Sequence, residues 1–228
     1  AMQMSTSRNL AVWLHEALDR FPADPLRFYL ASNLPETGDV VFSWQDFQSR
    51  VNSDLIGNLG NYINRVLSFA EKYFDGDVPR PEGLPEDALA VLEDFRELEA
   101  RYEAKMLAPR PREALGELLA MGRSANRFFD ASAPWKTRKE DPERTRLTLY
   151  TCSVLLGSLA YHAAPYVPEA IGRLEEFFDG LIARVSDLDE LPKGYHAAGA
   201  RPLFRRIEDD EVEAAEGQLS RAVSGEAG

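Results

Sequence analysis

The sequence predicts an all-α protein built as a helical bundle. Three observations carry that reading. Apolar residues recur at three- and four-residue spacing through most of the chain, proline and glycine clusters cut this pattern into segments, and extended stretches are few, GDVVFSWQDF among them. At 228 residues, 44% of them hydrophobic and 10% aromatic, the chain can bury a substantial core.

The elements follow in order. Leu10, Trp13, Leu14 and Leu18 share one face of a helix over 10–20, which the Phe21-Pro22 step ends. Asp24-Pro25 reads as N-cap and first residue of a short helix that stops before Pro35. Ser43 caps a long helical pattern from Trp44 to Phe74, with Phe47, Val51, Leu55, Leu59, Tyr62, Ile63, Val66 and Leu67 as its apolar stripe. Gly57, Gly60, Asn58, Asn61 and Asn64 interrupt that helix. Each costs a few tenths to about 1 kcal/mol relative to alanine, so their presence points to close approach or hydrogen bonding. After the loop DGDVPRPEGLPED, helices are expected over 87–106, 111–129, 141–162 and 169–185. The fourth long helix, 141–162, is the most apolar, and PYVP closes it. From Leu191 the tail reads as an extended crossing and a short acidic helix, and the closing VSGEAG as frayed.

Composition excludes several function classes. Mean hydropathy is -0.34, and no apolar run approaches the roughly 20 residues that a spanning helix needs. The opening AMQMSTSRN has no apolar core of a secretory signal, so a cytoplasmic location is expected. A single cysteine, Cys152, excludes an internal disulfide and a cysteine zinc site, and on the most apolar helix it reads as a buried small hydrophobe. The three histidines, His15, His162 and His196, form no HxxxH pair, so no metal is expected. The net charge of -12 opposes broad binding to nucleic acid. Its distribution is uneven: residues 101–150 hold eleven Lys or Arg against seven Asp or Glu. That balance suits either a local anion contact or a salt-bridged, solvated helix face.

Three stretches are compositionally odd: residues 23–69, containing NSDLIGNLGNYINR; residues 125–136, ANRFFDASAPWK; and PYVPEA followed by RPLFRRIE within 165–208. In this order and spacing they resemble the C-terminal half of methionyl-tRNA synthetase, a class I aminoacyl-tRNA synthetase. The resemblance covers essentially the whole chain from residue 3 onward. It implies a bundle of the class I synthetase anticodon-binding type, with a short irregular stem-contact segment at the N-terminus. The expected divisions are residues 1–42 for the signature-loop remnant and stem-contact segment, 43–216 for the bundle, and 217–228 for a frayed tail.

The family has a Rossmann-type catalytic domain and a lysine-rich signature loop that stabilises ATP phosphates. The catalytic domain is expected to be missing here. The loop is altered to Gln3, Met4, Ser5, Thr6 and Ser7, with uncharged side chains in place of both lysines. Losing the cations that offset developing phosphate charge costs on the order of several kcal/mol in such a site. The chain alone is therefore expected to bind and not catalyse, with no cofactor of its own; ATP and Mg belong to a full-length relative. The Ala1-Met2 start fits both a native stand-alone protein and a module of a larger enzyme.

Matched to the family, Asn61 and Arg65 fall at helix positions that read the anticodon, Trp135 at the platform on which a base stacks, and Pro134 beside it. The physics of these side chains agrees. Arg65 lies four residues from Asn61, so both project from one helix face. Asn offers a donor and an acceptor to a base edge, Arg a fork of donors, and Trp a flat stacking surface. Lys136, Arg138 and Lys139 stand nearby for phosphates, while Asp24 and Arg27 are expected to form a structural salt link. The expected partner is a tRNA anticodon loop, CAU-like, together with a separate or missing catalytic domain, and the chain is expected to be a monomer. Two other readings stand beside this one. One is a synthetase-like part recruited to specialised metabolism, in amino-acid activation or hydrazine-type assembly, with no tRNA role. The other is a structural or partner-binding helical domain that has lost both activities, in which the 191–216 tail would cover the Asn61, Arg65 and Trp135 cluster.

Overall fold

A computed structural model describes residues 12–36, 41–78, 80–178, 196 and 201–224. Among them the chain is helical, with one isolated antiparallel bridge between Asp77 and His196 and no strand. The elements are α1 (Leu14–Leu18), α2 (Ala23–Ser32), α3 (Trp44–Arg50), a π-helical segment (Val51–Gly60), α4 (Asn61–Phe74), α5 (Glu86–Leu107), α6 (Pro111–Ser132), α7 (Pro134–Glu140), α8 (Pro142–Ala163), α9 (Pro168–Phe178) and α10 (Asp209–Ser224).

Helix α8 is the axis of the bundle, and α4, α5 and α6 pack around it. Asp141 caps it by accepting from the Arg144 N–H at 2.9 Å, and Pro142 occupies its first turn. Its apolar residues Leu149, Val154, Leu155, Leu156 and Leu159 are all buried, as is Cys152. The thiol of Cys152 is pushed up to about 12 by burial, which agrees with its expected role as core filler. Polar side chains on this helix are buried too. Thr151 Oγ1 donates back to the Leu147 carbonyl at 2.9 Å, and Ser158 pairs with Glu99 from α5.

Several expectations change in detail. The helix expected over Trp44 to Phe74 is present but not uniformly α: its middle ten residues wind as a π-helix. Ser43 does cap its start, accepting from the Asp46 N–H at 3.3 Å. Asp24 does not cap its own helix, since α2 begins one residue earlier, at Ala23. Its carboxylate instead accepts the N–H groups of Glu169 (3.2 Å) and Ala170 (2.6 Å), closing the first turn of α9 from across the molecule. Nor does Asp24 pair with Arg27, whose Nε donates to the Pro165 carbonyl at 2.7 Å. Both residues fasten α2 to the α8–α9 corner, each through backbone rather than through the other. The APW segment begins a helix, α7, instead of only ending α6. The acidic helix α10 runs for 16 residues to Ser224, past the expected start of a frayed tail at 217. The expected continuation of α9 to residue 185 lies outside the described residues.

The tail is stitched to the front of the bundle by side-chain amides. Asn52 accepts from the Ile207 N–H at 2.9 Å and donates to its carbonyl at 2.8 Å, while Gln48 donates to the same carbonyl and to Asp209. Gly60 admits the Phe204 ring: a Cβ there would stand 3.1 Å from its Cδ2.

Candidate nucleic-acid interface

The asparagines and glycines of the π segment meet α6 at close range. A Cβ on Gly122 would lie 2.7 Å from both Asn58 Oδ1 and Leu59 Cδ2, so only glycine lets the two helices approach this far. Asn58 Nδ2 then donates to the Leu119 carbonyl at 2.9 Å. Asn126, one turn beyond Gly122, sends its Nδ2 to the Gly122 carbonyl (2.9 Å), the Asn58 carbonyl (3.1 Å) and Asn58 Oδ1 (3.3 Å). Asn61 Nδ2 donates in turn to Asn126 Oδ1 at 3.2 Å. The residues that looked costly within a helix are therefore there for the bridging they do.

Arg65 stands one turn further along α4. Its Nη2 donates to Asp130 Oδ1 at 2.6 Å, and its guanidinium lies 4.5 Å from the Phe129 ring centre and 5.9 Å from that of Trp135. Contact with aromatic faces of this kind contributes about 0.5–1 kcal/mol at exposed sites. Ala133, in the left-handed region with φ 40°, turns the chain sharply between α6 and α7. That turn brings Trp135 back to within 6.0 Å of Phe129, measured between ring centres. Pro134 is buried, while Trp135 itself remains 41% exposed. Asn61, Arg65 and Trp135 are thus brought to one surface, with Pro134 buried at the start of α7 and Trp135 partly open to solvent.

An open cleft of about 500 Å³ runs beside them, lined by Ser53, Asp54, Gly57, Asn58, Asn61, Arg65, Arg123, Asn126, Arg127 and Asp130. Three arginines against two aspartates give it a positive balance on a chain of net charge -12. Past Trp135, the Arg138 guanidinium stacks 4.4 Å from the Tyr73 ring centre, and Lys136 and Lys139 are exposed. Phe204, Leu203 and Pro202 border the other side of Asn61. The described part of the tail therefore edges the cluster and leaves the tryptophan open.

Four residues of this surface were not singled out from sequence: Asn126, Asp130, Arg123 and Arg127. Their four-residue spacing (Asn126 to Asp130, Arg123 to Arg127) was the available signal, since it places each pair on one face of α6. The altered loop, Gln3, Met4, Ser5, Thr6 and Ser7, lies outside the described residues. Among the described residues no group of three or more His, Cys, Asp or Glu is arranged to hold a metal ion, and no helix is long and apolar enough to cross a membrane.

Comparison with known proteins places this arrangement. Residues 1–67 match the family described as tRNA synthetases class I (M), and residues 78–223 match the anticodon binding domain of methionyl tRNA ligase. The methionine–tRNA ligase of Rubrobacter xylanophilus is 72% identical over 225 residues, covering 99% of this chain and 39% of its own length. That of Pyrococcus abyssi is 36% identical over 210 residues, covering 92% of this chain and 29% of its own. The crystal structure of the apo form of Mycobacterium tuberculosis methionyl-tRNA synthetase aligns with a TM-score of 0.79 at 26% identity, over 86% of this chain and 41% of that one. A second structure of that protein, in complex with methionyl-adenylate, aligns at 0.78. This chain spans about two fifths of the length of the Rubrobacter relative. These similarities give the specialised-metabolism reading no support. With the bundle and most of the chain matched, the protein belongs to the methionyl-tRNA ligase family, in the part of it that carries the anticodon-binding domain.

Proposed function

We propose that this chain reads a CAU-like tRNA anticodon, stacking an unpaired base on Trp135 and meeting base edges with Asn61 and Arg65. The observation that supports it most is the open tryptophan face beside a positively balanced cleft containing both polar residues. Loops of single-stranded RNA are recognised by this combination of aromatic stacking and edge hydrogen bonds, with cations for the phosphates. Pro134 supports the platform, and Lys136 and Lys139 supply phosphate contacts. The reading places the chain in the cytoplasm, acting as a monomer on tRNA. In a longer protein of the methionine–tRNA ligase type, recognition here would be coupled to ATP-dependent methionine activation elsewhere.

The test is binding of the 228-residue chain to an anticodon stem-loop carrying CAU, against one with a changed anticodon. Trp135→Ala is expected to weaken CAU binding by about 1–3 kcal/mol without unfolding the domain. Equal affinity of the parent and the variant would remove the stacking assignment.

A further inference from the structure

The amide hydrogen bonds between the π segment, α6 and α4 have a direction, and that direction reaches the surface. A side-chain amide can be turned either way, so its orientation has to be read from its partners. Asn58 leaves no choice. It donates to a backbone carbonyl, that of Leu119, so its Nδ2 faces inward and its Oδ1 is an acceptor. Asn126 is fixed more firmly still, because three acceptors converge on its Nδ2: the carbonyls of Gly122 and Asn58, and Asn58 Oδ1. Its Oδ1 must then be the atom facing Asn61. Asn61 accordingly presents Nδ2 to Asn126, and its Oδ1 is left to meet a ligand in the cleft.

We infer that Asn126 is a positioning residue that holds Asn61 as a hydrogen-bond acceptor, so that this position selects a base with an exocyclic amine, cytosine or adenine, over one with a keto oxygen, uracil or guanine. The inference rests on the reading of this surface as an anticodon site. The amine of cytosine or adenine donates to Asn61 Oδ1, whereas the keto oxygen of uracil or guanine would confront it acceptor to acceptor. Arg65 completes the pattern one turn away. With Nη2 engaged by Asp130 and its plane against Phe129, its remaining N–H groups are donors for the ring nitrogen or carbonyl beside that amine. An acceptor beside a donor matches the edge of cytosine and of adenine, and runs in the wrong order for uracil and guanine. Asn126 touches no base in this scheme. It acts by forbidding the rotation of Asn61 that would turn the donor outward.

The experiment measures affinities of the parent chain and of Asn126→Ala for stem-loops differing by cytosine or uracil at each anticodon position in turn. The parent is expected to prefer the amine-bearing base at one position by roughly 5- to 150-fold, the range of a well-formed edge contact. In Asn126→Ala that preference should collapse to about twofold or less, chiefly because the uracil loop binds more tightly, while preferences at the other positions persist. A merely structural role would weaken all loops alike and leave every ratio in place, and that result overturns the inference. Asn126→Ser serves as the second variant if the alanine form fails to fold. Side-chain NMR of the RNA-free protein gives an independent reading. The Asn61 amide protons should exchange with water slowly in the parent and about tenfold faster in Asn126→Ala. Unchanged exchange also overturns the inference. If the parent binds no stem-loop, the proposed function fails, and the exchange measurement alone decides whether Asn126 orients Asn61.

Discussion

Helix α8 and the seam between the π segment and α6 both bury polar side chains, and they use them in opposite ways. On α8 the threonines and serines serve mostly the helix itself or a packed neighbour: Thr151 returns to Leu147, Thr145 pairs with Thr137, and Ser158 with Glu99. Leucines between them fill the core, and residues 148–160 are all buried. Along the seam, each asparagine instead reaches a residue more than sixty positions away, at 2.9–3.2 Å, and the last in the series emerges into an open cleft. One region keeps its polar side chains inside the core, the other lines them up toward the surface. If the proposed function holds, stability and recognition are carried by different residues, although α4 and α6 belong to both.

Variants that separate the two can break that comparison. Leu155→Ala, at a fully buried site on α8, is expected to have the largest effect, a loss of about 2–5 kcal/mol in urea unfolding. Its folded fraction should bind stem-loops with parental ratios, and altered ratios would mean the regions are not separate. Gly122→Ala comes next. Its methyl would meet Asn58 Oδ1 and Leu59 Cδ2 at 2.7 Å, so the helices must part, at about 1–3 kcal/mol. This variant should impair both stability and discrimination, because the glycine sits where the regions join. Asp24→Ala removes the borrowed cap of α9, for about 0.5–2 kcal/mol with no change in RNA binding.

The mildest test uses pH. Burial holds the His162 imidazole below its ordinary value, against the opposing pull of the Ser158 carbonyl and the Glu103 charge. A proton thus binds the unfolded chain more readily than the folded one. The stability contributed by the neutral imidazole is present above the unfolded value of about 6.5 and is lost as pH falls through the lower folded value. Urea midpoints at pH 7.5 and 5.5 should therefore fall toward acid less steeply in His162→Gln than in the parent. An equal slope in the two proteins would show that this histidine is already solvated.

Much of the bundle was legible because apolar spacing and prolines mark helices directly. Pro111 and Pro142 open α6 and α8, and the most apolar stretch proved to be the central helix. Asp24 misled because a carboxylate before a proline is a local cap by pattern, whereas its actual partners are brought within reach only by tertiary packing, some 145 residues away. The π segment did leave a trace. Phe47, Val51, Leu55 and Leu59 are all buried at an unbroken spacing of four, which on an α-helix would drift about 120° around the axis over three steps. The wider winding from Val51 onward turns less than a full circle per four residues and so offsets that drift. Asn61, Arg65 and Trp135 were legible as candidates, yet Asn126 was not, because an amide's orientation is set by neighbours that sequence spacing does not reveal.

That wider winding also acts as a phase offset on everything after it. Ten residues of π-helix complete roughly half a turn less than ten of α-helix, so α4 leaves the segment rotated to the far side of where a uniform helix would aim it. A deletion between 51 and 60 is then less a shortening than a dial: each residue removed swings the Asn61 and Arg65 face by about 80°, while α3 stays seated. Which face of this protein looks outward is set by a count of residues upstream of it.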